Sequence, residues 1–220
     1  MELTDHVYAF PLTYDLGDRE MTIFPSGVET EDGLILLDVG LPGKIDTLAD
    51  ALAEDGFSLD DVDTLFLTHQ DGDHVGGAAE LLDRTDASVV ASVGDTPAIE
   101  GDAELVKSDR YPPIHVDIEV VDGVTFRTEA GPMRVVETPG HTPGHLSVVL
   151  PDADLLIAAD ATVADEDGLQ GPNETFTPEM ETAVDSLGKL AAFDTSGTLC
   201  YHGGFVEDAD VEATYLSLTE

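Results

Sequence analysis

The chain has 220 residues, of which 47 are Asp or Glu and 8 are Lys or Arg, so its formal net charge is −39. This length can bury a substantial core, and the 42% apolar content is typical of a globular protein rather than a disordered one. Binding nucleic acid requires clustered cations, so we expect no nucleic-acid partner.

The same composition bears on the environment of the protein. Only three of the cations are lysines, and such an acidic, lysine-poor chain is typical of organisms that accumulate molar intracellular salt. An ordinary acidic mesophilic protein is the alternative. No apolar run approaches the roughly 20 residues of a membrane helix. The N-terminus carries no stretch resembling a signal peptide, and the single cysteine fits a reducing compartment, so we expect a cytoplasmic protein without membrane contact.

Predicted strands and helices alternate in the first half of the chain. Apolar runs predict three strands, at 21–25, 33–39 and 64–68. A helix is predicted from Ile45, with Gly56 placed as a left-handed C-terminal cap. The strand at 64–68 leads into a polar, glycine-rich loop at 69–77, which precedes a helix at 78–82.

The second half has a similar pattern. Six further strands are predicted, at 89–93, 124–127, 133–137, 146–150, 155–159 and 198–201. The strands at 146–150 and 155–159 are predicted to form a hairpin. Thr177 is predicted to cap a helix whose first turn contains Pro178. We predict one α/β domain spanning residues 1–220.

The loop after the third predicted strand is rich in metal-ligand side chains. His69, Asp71, Asp73 and His74 fall within six residues. A locally extended backbone would point His69, Asp71 and Asp73 the same way. Taken alone, this loop is as consistent with a solvated acidic segment as with a metal site.

Three more ligand-type residues follow predicted strands. His141 stands in the segment TPGHTPGH at 138–145, and Asp160 directly follows the apolar run at 155–159. His202 ends the last strand, before two glycines. A carboxylate beside an apolar strand is costly unless a cation or hydrogen bonds compensate it. Polar residues at several strand ends are how open α/β sheets build a site.

These motifs resemble those of the metallo-β-lactamase superfamily. The family pattern begins with T-H-x-H-x-D-H-x-G-G. It continues with a histidine in G-H-T-x-G-H, an aspartate after an apolar strand and a histidine before glycine. This chain matches these motifs in order along nearly its whole length. The resemblance implies a four-layer αβ/βα sandwich and two divalent metal ions, zinc in first place. It implies one metal site of His69, Asp71 and His141 beside another of Asp73, His74 and His202, with Asp160 bridging the two.

One ligand departs from the family pattern, because Asp71 replaces its second histidine. Carboxylate oxygen binds zinc at nearly the same distance as imidazole, so Asp71 can still serve as a ligand. The added negative charge predicts a less Lewis-acidic centre that tolerates manganese or iron.

The resemblance also implies a function. We expect a metal-dependent hydrolase whose dinuclear centre activates a bridging water to cleave a small ester-type molecule, a lactone or a thioester, with Asp73 as the catalytic residue. The alternative is a mononuclear-iron enzyme resembling persulfide dioxygenases, with His69, His141 and Asp160 as its ligands. A metal-binding module without catalysis is disfavoured, because every ligand position holds a competent residue.

The remaining candidates have lesser predicted roles. His145 is expected to support the site without binding metal, and Cys200 is expected to be packed rather than reactive. Segment 101–118 is either a lid, in which Lys107 or Arg110 pairs a substrate carboxylate, or a plain connecting loop. The oligomeric state is not predicted.

Overall fold

The computed structural model of the protein describes residues 1–15, 17, 20–107 and 110–219. Within these residues the strands are, in chain order, β1 (Glu2–Thr4), β2 (Val7–Ala9), β3 (Leu12–Asp15), β4 (Glu20–Ile23), β5 (Ser26–Glu29), β6 (Leu34–Leu37), β7 (Val62–Phe66), β8 (Ser88–Ser92), β9 (Ile118–Val120), β10 (Thr125–Thr128), β11 (Gly131–Glu137), β12 (Leu146–Leu150), β13 (Leu155–Ala159), β14 (Val163–Asp165), β15 (Gly168–Gln170), β16 (Gly197–Cys200) and β17 (Gly204–Val206). The α-helices are α1 (Ile45–Glu54), α2 (Gly72–Val75), α3 (Ala78–Leu82), α4 (Thr96–Ile99), α5 (Met180–Leu190) and α6 (Val211–Thr219), and short 3₁₀ turns lie at Leu59–Asp61 and Pro151–Ala153.

Two large sheets form the centre of the molecule. The first has the spatial order β1-β2-β5-β6-β7-β8-β9, and its last four strands run parallel to one another. The second has the order β10-β11-β12-β13-β16-β17, in which β13 and β16 form the parallel pair. Because the carboxyl ends of parallel strands meet at the same edge of a sheet, each sheet gathers its strand-end loops on one side.

Three apolar cores separate four layers. One core joins the first sheet to helices α1 and α3 through residues such as Leu36, Leu48 and Leu81. A second lies between the sheets, and a third packs α5 and α6 on the outer face of the second sheet. The architecture is therefore an α/β sandwich of the layer order αβ/βα, as expected.

Several predicted elements agree closely with the structure. The helix beginning at Ile45 and the strands at 146–150 and 155–159 are present with those bounds or nearly so, and the two strands pair as an antiparallel hairpin. Gly56 has φ +89°, the left-handed conformation expected of the residue after a helix.

Other predictions are wrong in detail. The strand predicted at 64–68 is Val62–Phe66, so residues 67 and 68 already belong to the loop. The strand predicted at 21–25 forms a separate ribbon with β3. Thr177 does not cap α5, which begins at Met180 with Glu179 at its N-cap position.

Crossing a bilayer requires a long apolar helix, and none of the helices among the described residues has that length and character.

Candidate metal centre

Loops at one edge of the two sheets converge on a single site. Asp38 follows β6, the loop 68–74 follows β7 and His141 lies between β11 and β12. Asp160 follows β13 and His202 follows β16. The order of strands in the two sheets thus brings together residues as far apart in the chain as His69 and His202.

A first cluster is formed by His69, Asp71, His141 and Asp160, all buried. The Nε2 atom of His141 lies 2.9 Å from Asp71 Oδ2 and 3.2 Å from Asp160 Oδ2. His69 Nε2 lies 3.3 Å from Asp71 Oδ2 and 4.0 Å from Asp160 Oδ2. Two imidazole nitrogens and two carboxylates thus point at one small volume.

A second cluster adjoins the first and comprises Asp73, His74 and His202. His202 Nε2 lies 3.2 Å from Asp73 Oδ2. The carboxylate of Asp160 faces this cluster too, because its Oδ1 lies 3.5 Å from His74 Nε2 and its Oδ2 3.6 Å from His202 Nε2. Asp160 therefore stands between the two clusters.

The donor atoms fit divalent metal ions. Zinc bound tetrahedrally at about 2.0–2.2 Å keeps its nitrogen and oxygen ligands roughly 3.3–3.6 Å apart. The donor distances in the two clusters run from 2.9 to 4.0 Å and lie on both sides of that range. Four buried side-chain atoms in the clusters have no hydrogen-bond partner among the described residues: His69 Nε2, His74 Nε2, Asp71 Oδ1 and Asp160 Oδ1. Buried polar atoms are normally satisfied, so these atoms point to a cation.

The backbone of the ligand loop corrects one expectation. An extended backbone from His69 to Asp73 was predicted, but α2 begins at Gly72, directly after the extended Asp71. The helical turn places Asp73 and His74 in the second cluster, while the ring centroid of His74 still lies 3.9 Å from that of His69. The prediction that His69, Asp71 and Asp73 point the same way is therefore wrong, and this turn divides the loop between the two clusters.

The ring orientation of two histidines is set by Asp38, which the sequence reasoning missed. Asp38 Oδ2 accepts hydrogen bonds from the Nδ1–H of His74 at 2.8 Å and from the Thr68 hydroxyl at 2.7 Å. Because that hydroxyl donates to Asp38, it accepts from His69 Nδ1–H at 3.0 Å. Both imidazoles therefore keep Nε2 free to bind an ion, which is the usual arrangement behind metal-ligating histidines.

The charges of the site perturb its pKa values. Burial raises the pKa of Asp71, but the imidazoles of His69 and His141 outweigh it and hold the pKa far below its usual range. Burial lowers the pKa of His74, and the carboxylates of Asp38 and Asp160 more than offset it, so this pKa is well above the usual value. The carboxylates and imidazoles of the two clusters thus stabilise one another's charged forms.

Asp95 joins the two loops that carry the first cluster, another residue missed from the sequence. Its buried carboxylate accepts hydrogen bonds from the backbone N–H and side-chain amide of Gln70, at 3.0 and 2.9 Å. It also accepts from the Thr142 hydroxyl at 2.6 Å and the Gly144 N–H at 2.8 Å. Asp95 therefore sets the spacing between the His69–Asp71 segment and the His141 loop.

His145 supports the site as expected. Its Nε2 accepts a hydrogen bond from the backbone N–H of Asp160 at 3.1 Å, so its Nδ1–H donates to Thr138 Oγ1 at 2.8 Å. Complete burial lowers its pKa well below the usual value, which keeps the ring neutral. Cys200 is buried and lies 3.2 Å from Thr162 Oγ1, in agreement with its predicted packing role.

Segment 101–118 reaches the site through Lys107. The Lys107 ammonium group contacts Asp71 Oδ2 and lies 2.9 Å from His141 Nε2. Arg110, the other predicted cation, is exposed. Thr177, predicted as a helix cap, instead places its hydroxyl 3.5 Å from His141 Nδ1.

Sequence comparisons identify several similar proteins. The sequence model of the metallo-beta-lactamase superfamily matches residues 28–202. The probable metallo-hydrolase YflN of Bacillus subtilis is 29% identical over 206 residues, covering 77% of this chain and 75% of that protein. A hydroxyacylglutathione hydrolase of Cereibacter sphaeroides is 31% identical over 193 residues, covering 88% of this chain but 60% of that protein.

Solved structures share the fold. A metallo-beta-lactamase family protein from Thermus thermophilus matches with a TM-score of 0.77 at 22% identity, covering 99% of this chain and 79% of that one. At this level of identity the likeness extends to the fold alone.

Proposed function

The chain belongs to the metallo-β-lactamase superfamily, and from this premise we propose that it is a metal-dependent hydrolase of small ester-type substrates, lactones or thioesters. Two divalent ions, zinc in first place and manganese or iron as the alternatives, would be held by the two clusters. The first ion would bind His69, Asp71 and His141. The second would bind Asp73, His74 and His202, with Asp160 shared.

The position of Asp160 carries this proposal. Its carboxylate lies within 3.6 Å of His141 Nε2, His74 Nε2 and His202 Nε2, and thus of donors from both clusters. A carboxylate shared by two ligand sets is suited to bridging a pair of ions, since each oxygen can serve one of them. Burial raises its pKa, but the imidazole of His74 and those around it hold the pKa well below the usual value, so the bridge is ionised.

When bound, the ions supply a Lewis acid for the substrate carbonyl and an activated water as nucleophile. Asp73 is the carboxylate placed to orient that nucleophile and to carry its proton to the leaving group. Its backbone oxygen accepts a 2.5 Å hydrogen bond from the Tyr201 hydroxyl, and the Tyr201 ring stacks on His74 at 3.6 Å between centroids. These contacts hold Asp73 in place relative to the second cluster.

A small substrate is favoured by the space beside the centre. A cavity of about 260 Å³ borders His141 and is lined mainly by apolar groups, including Val106, Pro139 and Pro178. This volume accommodates a short acyl or lactone group. The hydroxyacylglutathione hydrolase relative supports the thioester class, since its name describes the hydrolysis of an acylated glutathione.

Metal analysis and a substrate panel test the proposal together. Protein purified untagged in high salt without chelator should contain two zinc or manganese ions per chain and turn over generic lactones or thioesters. Asp73→Asn should lower kcat by about 100-fold or more, the scale of a lost general acid–base group. Asp50→Asn, the same change on the exposed face of α1, should leave kcat unchanged. Equal effects of the two variants would overturn the role of Asp73.

One observation favours the second candidate, an iron enzyme resembling persulfide dioxygenases. The first cluster brings together the three residues expected to hold a single iron ion, His69, His141 and Asp160. Two histidines and one carboxylate form the ligand set typical of non-haem iron oxygenases. One iron ion per chain, with oxygen consumption on a persulfide substrate, would move this candidate to first place.

A further inference from the structure

Lys107 occupies an unusual position for a lysine. Its Nζ donates to Asp71 Oδ2 and to His141 Nε2, the latter at 2.9 Å, and its side chain is only 25% exposed. Both acceptor atoms belong to the first cluster of candidate metal ligands. A metal ion and the ammonium group cannot use the same lone pairs of these two atoms at once.

Contacts on both sides of Lys107 attach its segment to the ligand loop. The backbone N–H of Val106 donates to Gln70 Oε1 at 2.7 Å, and the Tyr111 hydroxyl donates to the Gln70 carbonyl oxygen at 2.6 Å. Gln70 is itself bound to the buried Asp95. The ammonium group is therefore delivered to Asp71 by a segment with defined attachments.

The charges explain why a cation is placed there. Asp71, Asp73 and Asp160 bring three carboxylates to the two clusters. The family pattern has a neutral histidine where this chain has Asp71. The added negative charge of Asp71 is cancelled by the positive charge of Lys107, so the pair has the net charge of that histidine.

We propose that Lys107 is an internal cation that competes with a metal ion for Asp71 and His141, so that the two clusters load unequally. The cluster of Asp73, His74 and His202, which Lys107 does not contact among the described residues, binds its ion first. Loading of the first cluster requires the ammonium group to leave. The exposed ring of Phe176, whose centroid lies 5.6 Å from Nζ, makes a cation–π contact with the ammonium group in this position. This inference rests on the proposed metal centre.

Zinc titration tests the competition. Protein stripped of metal is titrated with Zn²⁺ against a chromophoric chelator, in the natural chain and in Lys107→Met. Lys44→Met, at an exposed position before α1, is the matched control with the same change in net charge. We expect two unequal dissociation constants in the natural chain. In Lys107→Met the weaker one should fall by about tenfold or more, the scale of close charge pairs, while the tighter one and the control change little.

A labelling experiment reads the displacement directly. The chain contains three lysines, Lys44, Lys107 and Lys189, so an amine-reactive reagent and mass spectrometry resolve each one. Adding Zn²⁺ should raise the labelling rate of Lys107 several-fold and leave that of Lys44 unchanged.

The possible results separate this inference from the proposed function. If both the natural chain and Lys107→Met bind two ions with unchanged constants, the competition is wrong and the dinuclear centre stands. If Lys107→Met binds its second ion more weakly, Lys107 assists the site and the inference is again overturned. If the natural chain binds one ion and Lys107→Met binds two, the inference holds and the dinuclear proposal fails for the natural chain.

Discussion

Replacing Asp95 by asparagine tests whether this buried carboxylate holds the metal-binding loops together. Each of its oxygens accepts two hydrogen bonds: Oδ1 from the Gln70 amide and the Gly144 N–H, Oδ2 from the Gln70 N–H and the Thr142 hydroxyl. In Asp95→Asn one oxygen becomes an NH₂ group, which cannot accept. The two charge-assisted bonds to that oxygen are lost, and a buried backbone N–H, of Gln70 or of Gly144, is left facing another donor.

The expected magnitude follows from these bonds. Two hydrogen bonds to a charged group, at about 1.5–3 kcal/mol each, give a loss of about 3–6 kcal/mol. For a chain of this size each kcal/mol lowers Tm by about 2–4 °C, so Asp95→Asn should melt at least about 6 °C below the natural chain. The affinity of the first cluster for metal should also fall, because the spacing of Asp71 and His141 depends on these contacts.

Thermal unfolding followed by circular dichroism in high salt measures the effect, and Asp50→Asn on the exposed face of α1 is the control. The control should have the same Tm as the natural chain. A loss of one kcal/mol should lower Tm by at least about 2 °C. If the Tm of Asp95→Asn is within about 1 °C of that of the natural chain, the carboxylate does not hold the loops and the reasoning is refuted.

Further predictions concern the bridge, a close backbone approach and the surface charge. Asp160→Ala should lose both metal ions and Asp71→Ala one, as measured by plasma mass spectrometry; two ions in Asp160→Ala would contradict the bridging position. Gly203→Ala would press a Cβ atom into the Ala164 carbonyl oxygen at φ +101°, so calorimetry should show a loss of about 2 kcal/mol or more; an unchanged Tm would refute this. Removing salt should unfold the protein, because screening of a net charge of −39 is lost. A Tm indifferent to salt would contradict the halophilic interpretation.

Much of the molecule could be predicted because its signals are local. Apolar alternation and turn residues are properties of neighbouring positions, so the hairpin at 146–159 and the helix beginning at Ile45 were predicted with nearly correct bounds. The ligand types after strands were equally readable, and all seven candidate ligands lie in the two clusters. Strands β1, β2 and β3 and helix α6 were missed, since their short segments carry weak periodicity.

What the sequence by itself determined is therefore the kind of chemistry: which side chains could bind metal, and the α/β pattern that places them at strand ends. Tertiary structure decided the geometry that brings them together. A helical turn at Gly72 splits one loop between two clusters, and Lys107 is brought to Asp71 from 36 positions away. Such contacts depend on sheet order and on how loops close over the strand ends. Those are set by packing across the whole chain, so no local pattern could reveal them.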